Sequence, residues 1–147
     1  MPAFPNLIDQ APLIGMFRTQ LVLYVLLNAS HVLFLGLFIG AIMPLDLGIL
    51  RVPGFGWTTA VAGPLRRMGV AVFPGVASTG LLLFAVRPAD YLGNGAFLLK
   101  VSVILLAGGN ALLFQRISRP GVRHLLAGLS LAMWLFVLFA GRWIGFV

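Results

Sequence analysis

The chain of 147 residues is 61% hydrophobic and only 9% charged, with a mean hydropathy of +1.07. A soluble domain carries about 25% charged residues, because polar groups must cover its surface, so this composition excludes a soluble globular fold. The sequence therefore predicts one membrane domain over residues 1–147, with the lipid bilayer as its main partner.

Ten Lys and Arg residues oppose three Asp residues, and Glu is absent. The cations stand at the ends of apolar runs and do not form a basic face interleaved with aromatic residues, which argues against nucleic acid as a partner. The chain also lacks Cys, which excludes disulfides, thiolate metal sites and Cys nucleophiles.

Residues 1–18 are apolar but interrupted by Pro2, Pro5 and Pro12, and we interpret them as a segment lying on the membrane surface. A helix that crosses the bilayer needs about 20 mostly apolar residues. Four segments meet this requirement, at about 21–43, 68–86, 96–114 and 125–146. The sequence therefore predicts an all-α, four-helix membrane bundle with an N-terminal interfacial segment.

Residues 44–67 are rich in Pro and Gly. Both residue types interrupt helices, so this stretch is predicted to be a structured interfacial loop. Asp46 follows Pro44 and precedes Arg51, which favours an ion pair at a helix end or in the loop.

Arg residues predict the orientation of the bundle, because cytoplasmic loops carry an excess of Lys and Arg. Six of them follow spans one and three, namely Arg51, Arg66, Arg67, Arg116, Arg119 and Arg123. Both of these loops are therefore expected in the cytoplasm and both termini in the periplasm, as in a bacterial inner-membrane protein.

Span one is predicted to have two distinct faces. Polar residues in lipid usually face the bundle interior, and four of them fall within about 80° at 100° per residue, namely Gln20, Tyr24, Asn28 and His31. A second face carries small residues that allow helices to approach closely, namely Ala29, Gly36 and Gly40.

Each span contributes a residue of interest near the middle of the bilayer. At 1.5 Å per residue, similar depths are reached by His31, by Pro74-Gly75, by Asn110 and by Met133-Trp134. Nearer the outer surface, Lys100 and Arg142 either extend to the interface or form a positive pocket for a carboxylate, a haem propionate or an anionic substrate group.

Seven short motifs lie along the spans and their ends, at residues 31–36, 45–50, 79–84, 96–100, 110–114, 131–134 and 140–142. In combination they resemble an uncharacterised bacterial family of small four-span inner-membrane proteins. That family is distantly similar to copper-resistance inner-membrane proteins and to four-helix b-type cytochromes. The resemblance implies fold and topology but no activity. The chain departs from the family pattern at Gln115, where His is expected, and at Pro74-Gly75, where Pro-Trp is expected.

Hydrolytic chemistry is not favoured, since no carboxylate pair or catalytic motif is present. Three functions remain open. The first is a non-catalytic subunit or accessory protein of a membrane complex, assembled as a homo-oligomer or with other membrane subunits. The second is redox or metal binding, with haem b or copper at His31 and Met133 as a further ligand. A lone His is equally expected to hydrogen-bond Asn28, Tyr24 or Asn110. The third is transport of a small solute or proton by an oligomer.

Overall fold

A computed structural model describes residues 12–144, and the first eleven residues of the predicted interfacial segment lie outside it. Within that range the chain forms helices and no strand. The helices are α1 (Pro12–Thr19), α2 (Leu21–Ile49), α3 (Thr58–Val86), α4 (Pro88–Leu92), α5 (Gly95–Arg116) and α6 (Pro120–Trp143).

Four of these helices, α2, α3, α5 and α6, are long and apolar enough to cross a membrane, with mean hydropathies between 1.9 and 2.2. The predicted all-α four-helix architecture is confirmed, and the chain is a multi-pass membrane protein. Helices α2 and α3 have 29 residues each, or about 44 Å at 1.5 Å per residue. They exceed the hydrocarbon thickness of about 30 Å, so part of each extends beyond it.

The interfacial loop predicted for residues 44–67 is wrong over most of its length. Helix α2 continues through Pro44 to Ile49, and α3 begins at Thr58 and continues through Pro64. A Pro inside a helix removes one N–H donor, and membrane helices tolerate this loss because neighbouring helices support the backbone.

The remaining linker between α2 and α3 is short, and the two helix ends that it joins pack tightly. At Gly48, an added Cβ would overlap the Thr58 hydroxyl and lie 3.2 Å from the Phe55 carbonyl. The linker turns through positive φ angles at Arg51 (57°) and Gly54 (88°).

Helices α2 and α3 form an antiparallel pair along their full length, and three glycines of α3 make this approach close. A Cβ at Gly69 would lie 2.8 Å from the Ile42 side chain, and one at Gly75 would lie 2.7 Å from the Phe34 ring. At Gly80 the corresponding distance to the His31 ring is 3.2 Å. These glycines fix the register of α3 against α2.

Helix α6 joins the two halves of the bundle, since it packs along both α2 and α5. The centre of the α2–α6 contact is Phe38, whose ring centroid lies 4.7 Å from that of Trp134 on α6 and 5.6 Å from that of Phe73 on α3. Helices α3 and α5 meet through stacked rings of Phe84 and Phe97, with centroids 5.5 Å apart.

The end of the bundle opposite the α2–α3 linker is closed by α1, which packs against α2 and α3. Its Arg18 donates from Nε to the Val86 carbonyl at 2.8 Å, where the last carbonyls of α3 lack helical partners. Helix α5 is capped by Asn94, whose Oδ1 accepts from the backbone N–H groups of Ala96 and Phe97 at 2.9 and 3.2 Å.

Candidate functional site

His31 hydrogen-bonds a residue of α3. Its Nδ1 lies 2.9 Å from the Thr79 hydroxyl oxygen, and that hydroxyl donates to the Gly75 carbonyl at 2.6 Å. Because the hydroxyl has one proton, which Gly75 accepts, Nδ1 of the neutral imidazole is the donor and Nε2 carries the free lone pair. The expected partners Asn28, Tyr24 and Asn110 are therefore replaced by Thr79.

The polar stripe predicted on span one does not face inward as a whole. His31 and Tyr24 are half-buried, whereas Gln20 and Asn28 are exposed. The buried residues of α2 include Leu27 and Phe38, which lie about 80–100° around the helix from Asn28 at 100° per residue. The inward direction of α2 is therefore set by apolar packing, and Asn28 stands outside it.

The polar and aromatic mid-bilayer residues of α5 and α6, Asn110 and Trp134, make contacts away from His31. Asn110 donates from Nδ2 to the Leu126 carbonyl at 3.0 Å, which joins α5 to α6. Trp134 packs on Phe38, and the neighbouring Met133 is half-buried. The sequence indicated that these residues share one layer with His31. In the structure they instead make contacts between adjacent helices.

Of the two cations predicted near the outer surface, Lys100 is half-buried between α5 and α6. A Cβ at Gly141 would lie 3.1 Å from its Nζ, so the glycine makes room for the ammonium group. Lys100 is close enough to His31 for its charge to act on the imidazole, whereas Arg142 is exposed at the end of α6. His31, Thr79 and Lys100 are therefore neighbouring polar residues of the bundle.

Among the described residues, no group of three or more His, Cys and acidic side chains is arranged to hold a metal ion. His31 offers Nε2 as a single ligand, and Met133 is half-buried on α6. Binding of haem b or copper, with Lys100 and Arg142 near its anionic groups, stays a prediction. Transport along span one also stays a prediction.

Sequence reasoning missed the environment of Asp46. The ion pair expected at a helix end is wrong, because Asp46 lies inside α2 and is only 7% exposed, whereas Arg51 is exposed beyond the helix. Its carboxyl faces the Ser130 hydroxyl of α6, and Oδ2 has no hydrogen-bond partner. The continuation of α2 through Pro44 is what carries Asp46 into the helix interface.

Outside the spans, Tyr91 of α4 packs on Phe97 with ring centroids 5.0 Å apart. Burial raises the pKa of the Tyr91 phenol. Tyr24 and Asp90 raise it further by smaller amounts, and Arg87 opposes them. This cluster anchors the short connection between α3 and α5 and offers no reactive group at neutral pH.

Comparisons with protein-family models, with curated proteins and with solved structures gave no match for this chain. The family resemblance of the sequence motifs therefore carries no part of the functional argument.

Proposed function

We propose that this membrane protein is a non-catalytic subunit or accessory protein that binds other membrane helices through one face of α2. The observation that carries the proposal is an exposed, small-residue face of α2 with an unpartnered amide beside it. Within residues 12–144, the chain covers neither.

This face, the α2 seam, consists of Val25, Ala29, Val32, Gly36 and Gly40. Their spacing of three or four residues places them on one side of the helix, and all five are exposed. No atom lies within 4 Å of a Cβ placed at Gly36 or Gly40. Small residues at such spacing let a second helix approach the backbone, which is how membrane helices associate without a hydrophobic driving force.

Asn28 stands at the edge of the α2 seam, seven residues into the helix and about 10 Å from its start at 1.5 Å per residue. Its side chain is exposed and makes no hydrogen bond to the described residues. An amide facing lipid lacks partners, and a hydrogen bond to a second helix is worth about 0.6 kcal/mol on average in a membrane. A helix docked on the α2 seam would supply that partner and fill the groove above the glycines.

The test is the mass of the assembly that contains this protein after extraction from native membranes in a mild detergent. We expect the wild-type chain to run in a complex larger than one copy, and the double variant Gly36→Leu, Gly40→Leu to run alone, because leucines block close approach. The matched control is Gly108→Leu, Gly109→Leu, at two exposed glycines of α5, which leaves the complex intact. A wild-type chain that runs as a single copy contradicts the proposal.

We also propose that the bundle lies in a bacterial inner membrane with both termini in the periplasm. Arg51, Arg116, Arg119 and Arg123 support this, because they cluster at the α2–α3 and α5–α6 connections, the ends that the positive-inside rule assigns to the cytoplasm. The Arg66-Arg67 pair lies in the first half of α3 and is exposed.

The absence of Cys makes this orientation directly testable with single-Cys variants and a maleimide that does not cross membranes. In intact cells with a permeable outer membrane, we expect labelling of Ala89→Cys in α4. The variant Pro53→Cys, in the α2–α3 linker, should react only after the inner membrane is opened. Both positions are exposed, so the opposite pattern would show the reverse orientation.

A further inference from the structure

We propose that Asp46 is a proton-binding site between α2 and α6, whose buried carboxyl binds a proton at a higher pH than an exposed Asp does. This inference concerns the bundle interior and is independent of the assembly proposed above.

The two oxygens of the Asp46 carboxyl have different surroundings. The Ser130 hydroxyl faces Asp46 from α6. Oδ2 is buried without a hydrogen-bond partner among the described residues. A protonated carboxyl carries no charge, which suits a buried oxygen without a partner better than a carboxylate does.

No cation compensates a charge at this position. On α6, the groups that face Asp46 are Ser130 and the Trp134 ring, and His124 lies outside the cavity with its Nδ1 2.9 Å from the Pro120 carbonyl. On the α2 and α3 sides, the cations nearest in sequence are exposed and do not line it, namely Arg51, Arg66 and Arg67. An unpaired carboxylate buried between helices is costly, and this cost favours its protonated form.

The cavity beside Asp46 has a volume of about 10 Å³ and is lined by Asp46, Trp134 and five apolar side chains of α2 and α6. That volume is at the lower limit of what one water molecule needs. The oxygens of Asp46 and Ser130 are too few for a metal cation such as Ca²⁺, which takes about six to eight oxygen ligands. The site therefore fits a proton on the carboxyl and no larger ion.

The composition of the chain makes infrared spectroscopy a sharp test, because the whole sequence holds three Asp residues and no Glu. A protonated carboxyl has a C=O band at higher frequency than any carboxylate band. For the full chain in liposomes at about pH 5.5, above the ordinary Asp pKa of about 4, we expect one such band, its complete loss in Asp46→Asn, and its retention in the control Asp90→Asn, which alters an exposed residue.

A pH titration of the same samples tests the proton affinity. The Asp46 band should persist to a higher pH than the bands of exposed carboxyls, which appear only near their ordinary pKa of about 4. Asp46→Asn preserves shape and removes the charge, and its helical circular dichroism spectrum reports whether the fold is kept. A band that disappears at the same pH as those of exposed carboxyls, or that survives in a folded Asp46→Asn variant, would overturn the proposal.

Discussion

Replacing Gly75 by Leu is expected to destabilise the α2–α3 pair more than a leucine at any lipid-facing glycine. A Cβ at Gly75 would lie 2.7–2.9 Å from three carbons of the Phe34 ring, closer than carbon atoms pack. Overpacking of this kind costs about 1–3 kcal/mol, and the additional carbons of Leu place the variant at the upper end of that range. The free energy of unfolding in mixed detergent micelles, followed by Trp fluorescence, measures the loss.

The control for this prediction is Gly108→Leu on α5, where no atom lies within 4 Å of an added Cβ. It changes the same residue type in a span and should leave the free energy of unfolding nearly unchanged. If Gly75→Leu were as stable as this control, the Phe34 ring would have room to move aside, and the α3 glycines would not determine the register.

The number and class of the helices could be predicted from the sequence because lipid imposes a simple requirement. Each span must satisfy its backbone internally and remain apolar over the hydrocarbon thickness, and four continuous apolar runs meet that requirement. The ends of the helices could not be predicted in the same way. Pro44 was expected to end span one and Pro64 to lie in the following loop, but the packing of Gly48 on Thr58 supports both helices through these residues.

The partners of the polar residues were harder to predict because apolar residues surround a membrane helix on every side. In a soluble helix, the apolar stripe indicates which face is buried. In α2 the exposed face is as apolar as the buried one, so the sequence did not reveal that Asn28 lies outside and Asp46 inside. The rotation of each helix about its axis depends on how the helix surfaces fit together. Glycines such as Gly75 and Gly80 leave room for a ring of the neighbouring helix.

The same argument explains why Thr79 was overlooked as the partner of His31. Its depth in span two matches that of His31, but Thr is common in membrane helices and bonds its own backbone, as Thr79 does to Gly75. Only the adjacent Gly80, which leaves space for the imidazole at 3.2 Å, distinguishes it. The sequence pattern that indicates this contact is a polar residue beside a glycine on one span, at the same depth as a polar residue on another span.

Truncating Phe38 to Ala is expected to loosen the contact of α2 with both α3 and α6. The Phe38 ring is 6% exposed and packs against Phe73 and Trp134. In water-soluble cores this change costs about 3–5 kcal/mol. Lipid tails are as apolar as a Phe side chain, so the hydrophobic part of that cost is small in a membrane. Lost contacts and the cavity remain, and we expect a loss of about 2 kcal/mol.

Phe139→Ala provides the matched control, because Phe139 lies on α6 and is 70% exposed. It removes the same atoms from a surface that lipid can refill, and its free energy of unfolding should stay close to that of the wild type. Trp134 also lines the cavity beside Asp46, so the space left by Phe38 adjoins the proposed proton site. Water entering that space would solvate the carboxyl, so the infrared band of Asp46 should disappear at lower pH in Phe38→Ala than in the wild type. Equal stability of the two Ala variants would show that α6 is held to α2 by contacts other than this aromatic cluster.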